Sequence, residues 1–184
     1  MSRPLAPWRR IGAERLQDCR VFDVERVRFE PPHGGPPEAF FRIEAPHWVN
    51  VVPLDANDEV LCVRQYRFGV EDFTLEVPGG MCDPGESPET AARRELLEET
   101  GCSSAELELL GWVHPNPALQ SNRCYSFLAR DPRQVGAPAG DPHEEIELVR
   151  VPLADVDRRI AAGEITHALV VTAFQLLATY RAKR

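Results

Sequence analysis

The sequence lacks the features that mark membrane-spanning, secreted and nucleic-acid-binding proteins. No run of about eighteen apolar residues occurs in its 184 residues, which argues against a membrane-spanning helix. The first residues, MSRPLAPWRRIGAERL, include basic side chains but no apolar stretch, so they do not resemble a secretory signal. The net charge is -8, and this argues against a nucleic-acid partner because binding a phosphate backbone usually requires a basic surface.

Closely spaced cysteine pairs are also lacking. The five cysteines are scattered, odd in number and form no CxxC pair, so neither a disulfide framework nor a zinc site is indicated. We therefore expect free thiols and a cytoplasmic protein. Cys82 lies in the segment of greatest interest, but no Cys-His arrangement accompanies it. We interpret Cys82 as a loop cysteine and not as a nucleophile.

The rest of the chain alternates between β-rich and helical patterns. Residues 1–18 show no clear pattern and are interpreted as an irregular arm. Strands are predicted at 21–30, 40–45, 48–54, 60–67, 73–77, 107–113, 123–130 and 145–151. Residues 131–143, rich in Pro, Gly and Asp, predict a mobile loop, and two closing helices are predicted at 153–162 and 165–181. This order predicts an α+β fold in which a helix packs on a mixed sheet.

The segment Gly79 to Cys102, GGMCDPGESPETAARRELLEETGC, has the clearest chemical pattern. Pro78-Gly79-Gly80 predicts the end of a strand. Ser87 predicts a helix N-cap with Pro88 in the first turn, and Gly101 predicts the helix end.

Three glutamates share one face at the end of this helix. Glu95 and Glu99 are four residues apart and Glu98 lies beside them, so like charges would destabilise the helix by about 0.2–0.5 kcal/mol per pair. The helix dipole also disfavours negative charge at this end. One interpretation of these glutamates is a solvated acidic face of the helix. The other is an oxygen-rich site for Mg²⁺ or Mn²⁺, completed by a backbone carbonyl.

The spacing of these residues resembles the Nudix box, GX5EX7REUXEEXGU, in which U is a bulky aliphatic residue. The matching positions are Gly80, Glu86, Arg94, Glu95, Leu96, Glu98, Glu99 and Gly101. The one departure is Cys102 at the last position, a small apolar residue that can still pack. The resemblance implies a hydrolase that cleaves a nucleoside diphosphate linked to another group.

The resemblance also implies roles for single residues. The ligands of more than one Mg²⁺ ion, with Mn²⁺ as an alternative, would be Gly79 through its carbonyl, Glu95, Glu98 and Glu99. Glu86 and Arg94 are expected to form a structural ion pair, since an arginine binds a carboxylate bidentately. In the branch of ADP-ribose pyrophosphatases, a glutamate from a loop often acts as the general base. Glu144 is the first candidate for this role and Glu145 the second, and Glu98 is an alternative within the box.

Three further stretches resemble the branch of ADP-ribose pyrophosphatases and related nucleoside diphosphate sugar hydrolases. LEVPGG before the box resembles their ExPGG segment, and Gln65-Tyr66-Arg67 resembles their QYR stretch. Pro117 lies sixteen residues after Gly101, where that branch has a marker proline, but the surrounding Asn-Pro-Ala differs from the usual SPG and leaves the sugar open. The implied substrate-binding residues are Phe40, Phe41, Arg67, Glu76, Met81, Asn116 and Asn122.

The branch implies an α/β/α sandwich in which helices flank a mixed sheet, preceded by an antiparallel N-terminal sheet. We expect residues 1–47 to form a strand region used in dimerisation and residues 48–184 to form the Nudix domain, in a homodimer. The expected substrate is a nucleotide sugar, cleaved to a nucleoside monophosphate and a sugar phosphate. A Nudix hydrolase of another nucleotide class and a non-catalytic nucleotide sensor are the alternatives.

Overall fold

The structure is a computed structural model that describes residues 3–140 and 145–183. The chain divides into two compact units. The smaller comprises Met1–Pro46 and His114–Asn122, and the larger comprises His47–Val113 and Arg123–Arg184.

The smaller unit contains an antiparallel three-stranded sheet in the order β1-β2-β3. The strands are β1 (Arg9–Asp18), β2 (Asp23–Glu30) and β3 (Glu38–Glu44). The prediction of an irregular arm over residues 1–18 was wrong, because β1 pairs with β2 along its whole length. Every residue of β1 is exposed, so the strand has no buried face and the sequence shows no apolar alternation to reveal it.

The larger unit contains a mixed seven-stranded sheet in the order β12-β5-β4-β10-β9, with β6 paired to β5 and β7 to β4. Its strands are β4 (Trp48–Leu54), β5 (Glu59–Arg67), β6 (Asp72–Glu76), β7 (Gly79–Met81), β9 (Glu106–Val113), β10 (Cys124–Arg130) and β12 (Ile146–Pro152). Strands β4 and β10 are parallel, and the other pairs are antiparallel. A two-stranded sheet joins β8 (Cys102–Ser103) to β11 (Arg133–Gln134).

Helices cover both faces of the large sheet. They are α1 (Pro88–Thr100), α2 (Val156–Ala161) and α3 (Ala168–Arg181). Strand β4 is buried on both sides: Val51 packs in one core cluster with Leu96 of α1, and Val52 packs in a second cluster with Phe174 of α3. This arrangement confirms the predicted α+β class and its α/β/α layering. In the described part of the chain, no helix is long and apolar enough to cross a membrane.

Several boundaries differ from the predictions. Strand β6 ends at Glu76, before Pro78 as predicted, but Gly79–Met81 then forms a further strand, β7, against β4. The predicted loop 131–143 contains β11, while its last residues lie outside the described part. Residues Leu153–Asp155 form a 3₁₀ turn before α2. Helix α3 begins at Ala168, and Ile165 is buried ahead of it.

Candidate active site

Helix α1 has defined ends. The Ser87 hydroxyl accepts a hydrogen bond from the Thr90 N–H at 3.1 Å, which caps the first turn. Gly101 ends the helix with φ 68°, and its N–H donates to the Leu97 carbonyl at 2.7 Å. The predicted limits of this helix are therefore confirmed.

Two glutamates of α1 reach the same short backbone segment. The Glu99 side chain is buried, and its Oε2 accepts a hydrogen bond from the Gly79 N–H at 2.9 Å. One turn earlier, Glu95 lies against Gly80 so closely that a Cβ on Gly80 would be 2.6 Å from the Glu95 Cδ. Strand β7 thus brings Gly79 and Gly80 beside two carboxylates of the helix.

Arg94 is the centre of the charge network at this end of the site. Its Nε and Nη2 bind both oxygens of Glu86 at 3.1 and 2.9 Å, and Nη2 also donates to the Met81 carbonyl. Its Nη1 donates to Glu95 at 2.7 Å and to Glu98 at 3.0 Å. Glu86 is the main cause of the raised pKa of Arg94, and the Arg94 hydrogen bonds lower the pKa of Glu86 in turn. The pair links the loop before α1 to the helix.

The donor atoms around this segment suit a hard divalent cation. Among the residues that the structure describes, no three acidic, histidine or cysteine side chains form a ready metal-ligating group, and Arg94 binds oxygens of both Glu95 and Glu98. The carboxylates of Glu95 and Glu99 nevertheless lie beside the backbone of Gly79 and Gly80. Oxygen-only donor sets are those that Mg²⁺ and Mn²⁺ prefer. The residues therefore fit such an ion once Arg94 releases these two oxygens.

A second buried acid lies at the end of β6. The Glu76 carboxylate accepts two hydrogen bonds from Arg67, each 2.8 Å, and one from the Thr74 hydroxyl at 2.6 Å. The His167 Nδ1 lies 3.3 Å from its Oε2. Burial alone would raise the pKa of Glu76, but the contacts with Arg67, His167 and Thr74 outweigh it and hold that pKa well below its ordinary value. Arg67 and Glu76, both expected to bind substrate, thus bind each other.

Comparison with known proteins identifies the family. The NUDIX domain model matches residues 46–173. The chain belongs to the NUDIX domain family. It is 30% identical over 166 residues to an ADP-ribose pyrophosphatase of Mycobacterium tuberculosis, covering 88% of this chain and 78% of that protein. It is also 30% identical over 181 residues to the ADP compounds hydrolase NudE of Escherichia coli, covering 96% and 95%.

A solved structure shows the same fold for this Nudix protein. A crystal structure of an ADP compounds hydrolase superposes with a TM-score of 0.83 at 29% sequence identity, covering 97% of this chain and 96% of the other. The likeness spans both compact units, so it extends well beyond the Nudix box.

Replacing Glu76 by glutamine is expected to lower the free energy of unfolding by about 1–3 kcal/mol at pH 7, because a buried charged hydrogen-bond network loses its anion. The pKa of Glu76 is depressed in the folded state, so its stabilisation is full above its ordinary pKa of about 4 and is lost as the pH falls below that value. Urea unfolding at pH 7 and pH 3.5 measures both effects. Glu147→Gln is the control, since Glu147 is exposed and pairs with Arg64 at 3.4 Å. An equal loss for both variants at pH 7 would contradict the prediction.

The other residues predicted to bind substrate have varied surroundings. Met81 is exposed at the end of β7. In the smaller unit Phe40 and Phe41 are exposed, and Phe40 packs edge-to-face against Trp8 and Phe29. Substrate contacts by Met81, Phe40 and Phe41 stay predictions.

The two asparagines of the loop before β10 differ in burial. Asn116 is exposed, and its backbone carbonyl accepts hydrogen bonds from Leu119 and Gln120. Asn122 is buried and donates from Nδ2 to the Pro46 carbonyl at 3.0 Å, which joins two segments of the smaller unit. Asn122 therefore has a structural contact that the sequence did not reveal, and substrate binding by either asparagine stays a prediction.

Of the three candidates for the general base, the structure describes the surroundings of Glu145 and Glu98. Glu144 lies outside the described residues. Glu145 is exposed and directly precedes β12. The Glu98 side chain is 40% exposed and is hydrogen-bonded to Arg94.

Cys82 is a buried thiol in the core cluster under α1. Burial, followed by the charge of Glu86, raises the pKa of Cys82, so the thiol stays protonated and is a poor nucleophile.

Two polar residues near the Nudix box were missed by sequence reasoning. Asn50 is buried in β4, where its register partner is Gly79, and its Nδ2 donates to the Leu169 carbonyl at 3.1 Å. His167 precedes α3 and contacts Glu76. The asparagine within the apolar run WVNVVPL was a usable signal, because a polar side chain in a buried strand needs a partner. His167 offered no such signal.

Proposed function

We propose that this Nudix protein hydrolyses the pyrophosphate of a nucleoside diphosphate sugar, with ADP-ribose as the first candidate. The products would be a nucleoside monophosphate and a sugar phosphate. The observation that carries the proposal is the placement of Glu95 and Glu99 against Gly79 and Gly80. The names of the similar proteins, ADP-ribose pyrophosphatase and ADP compounds hydrolase, support the substrate class.

We assign metal binding to Glu95 and Glu99, assisted by Glu98 and the Gly79 carbonyl, for more than one Mg²⁺ or Mn²⁺ ion. When bound, such ions lower the pKa of an attacking water and neutralise charge on the phosphate oxygens. Arg94 holds the loop residue Glu86 on α1, which keeps the acidic turn of the helix next to β7.

The general base in this proposal is Glu144, with Glu145 as the second choice and Glu98 as the alternative within the box. Its task is to accept the proton of the attacking water. We assign a phosphate contact to Arg67, whose guanidinium Glu76 holds in place through two parallel hydrogen bonds.

We further propose a homodimer that uses residues 1–47, and a cytoplasmic location. All five cysteines are free, which supports a reducing compartment. The exposed side chains along β1, including Trp8 just before it, support burial of this sheet in an interface. Light scattering at micromolar concentration is expected to give twice the chain mass, and a monomer would rule out the dimer.

A panel of nucleotides tests the proposed activity. The protein is incubated with ADP-ribose, GDP-mannose, another ADP-sugar and diadenosine polyphosphates, with Mg²⁺ or Mn²⁺, and products are identified by mass. We expect a nucleoside monophosphate and a sugar phosphate from at least one nucleotide sugar. Turnover of the diadenosine compounds alone would favour another Nudix class, while binding without turnover would favour a sensor. Reaction in ¹⁸O water shows which phosphorus is attacked.

A further inference from the structure

We propose that residues 133–139, which we call the strap, position the acidic end of α1 for metal binding, with Ala139 and Gln134 as the positioning residues. The inference rests on the proposed function, because it concerns the carboxylates that we assign to the metal. It adds residues outside the Nudix box to the machinery that holds those carboxylates.

The strap supplies hydrogen-bond donors to the end of the helix. The last carbonyls of any α-helix lack partners within the helix. Here the Glu98 carbonyl accepts from the Ala139 N–H at 2.8 Å. The Gly101 carbonyl accepts from the N–H groups of Val135 and Gly136 at 2.9 and 3.1 Å. One backbone donor of the strap therefore binds the last helical turn, at Glu98, and two bind Gly101, the residue that caps it.

Gln134 adds a side-chain clamp. Its Nε2 donates to the Thr100 carbonyl at 3.2 Å, and its Oε1 accepts from the Cys102 thiol at 3.4 Å. The backbone of Gln134 pairs with Cys102 in the β8–β11 sheet. The side chain and the backbone of one residue thus bind both sides of Gly101.

The packing leaves no space between the strap and the helix end. A Cβ on Gly101 would lie 2.5 Å from the Gln134 Nε2 and 3.0 Å from the carbonyl carbon of Ala137. Gly101 therefore has two reasons to be glycine: its φ of 68° and the approach of the strap.

The charge of the helix end explains why such a clamp is needed. Glu95, Glu98 and Glu99 lie at the negative end of the helix dipole, and the last turn has no basic residue. Like charges at these spacings favour fraying of the turn. The strap offsets this with N–H groups, which satisfy the carbonyls without adding a further cation beside Arg94. Loss of these bonds would displace Glu98 and Glu99 while the sheet and core remain intact.

The experiment compares Ala139→Pro, which removes the N–H donor, with Ala139→Gly, which keeps it. Mn²⁺ binding is measured by calorimetry without substrate, together with thermal unfolding and the Mg²⁺ concentration that gives half-maximal rate. We expect Ala139→Pro to weaken Mn²⁺ binding about 10–100-fold, as loss of a group that orients metal ligands does, with Ala139→Gly within about twofold of the parent protein. The Mg²⁺ requirement should rise in parallel, while the rate at saturating Mg²⁺ falls much less.

The outcomes separate this inference from the proposed function. If the parent protein binds Mn²⁺ and folded Ala139→Pro binds it equally well, the strap has no positioning role although the metal site stands. If the parent protein binds no Mn²⁺, the metal assignment and this inference both fail. Should Ala139→Pro not fold, Gln134→Ala decides the question: weakened Mn²⁺ binding supports the strap, and unchanged binding overturns it.

Discussion

Replacing Glu99 by glutamine is expected to lower kcat by more than about 100-fold, even at saturating Mg²⁺. Loss of a group that only orients a metal ligand typically costs about 10–100-fold, so loss of a ligand itself should cost more. Glu99 is buried and its carboxylate is held by the Gly79 N–H, so no other side chain can easily take its place. The amide keeps the size of the side chain but removes the charge that a divalent cation needs.

The measurement is a Mg²⁺ titration of the initial rate, beside thermal unfolding of the same samples. Glu89→Gln is the matched control, because Glu89 lies in the first turn of the same helix, is exposed, and forms an ion pair with Arg93 at 3.0 Å. We expect this control to retain the parent rate. Near-normal turnover of Glu99→Gln at saturating Mg²⁺ would show that the ligand is assigned wrongly.

Alanine at the two neighbouring glycines is expected to separate catalysis from stability. In Gly80→Ala the new methyl group meets the Glu95 carboxylate, which lies at the end of a flexible side chain and can move. We expect kcat to fall about 10–100-fold because a proposed metal ligand is displaced. The free energy of unfolding should change by less than about 1 kcal/mol, since only the end of one side chain moves.

Gly79→Ala should instead lower the free energy of unfolding more than it lowers the catalytic rate. Its methyl group would collide with the Val49 backbone carbonyl and lie 3.1 Å from the Asn50 Cα, and neither can move without disturbing β4. We expect a loss of about 1–3 kcal/mol in the free energy of unfolding, the usual cost of overpacking a core. Urea unfolding and steady-state rates on both variants test the pair. If Gly80→Ala keeps full activity, the contact between Gly80 and Glu95 has no catalytic consequence.

The elements that sequence predicted well are those whose signals are local. The limits of α1 follow from Ser87 and Gly101, whose capping geometry depends on a few adjacent residues. Strand β4 follows from an apolar run that is buried on both faces. Strand β1 was missed because its residues are all exposed, and its pairing with β2 leaves no trace in the apolar pattern.

The candidate site likewise combines features that the sequence shows directly with contacts that only the tertiary structure shows. The spacing of Glu95, Glu98 and Glu99 on one helix could be read directly, because helical periodicity converts sequence spacing into position. The pairing of Glu76 with Arg67 could not, since both were expected to face substrate and their mutual contact depends on the register of β5 and β6. The strap was interpreted as a mobile loop, because Pro and Gly content does not show where backbone donors find acceptors.

The family, the reaction class and the acidic helix therefore followed from residues close together in the chain. What required the tertiary structure was the set of partners: Gly79 for Glu99, Glu76 for Arg67, and Ala139 for the Glu98 carbonyl. These contacts join segments that are 9 to 41 residues apart, and strand register and helix packing select them. A motif specifies which groups are present, whereas long-range packing decides which groups each of them contacts and therefore how the site is held in place.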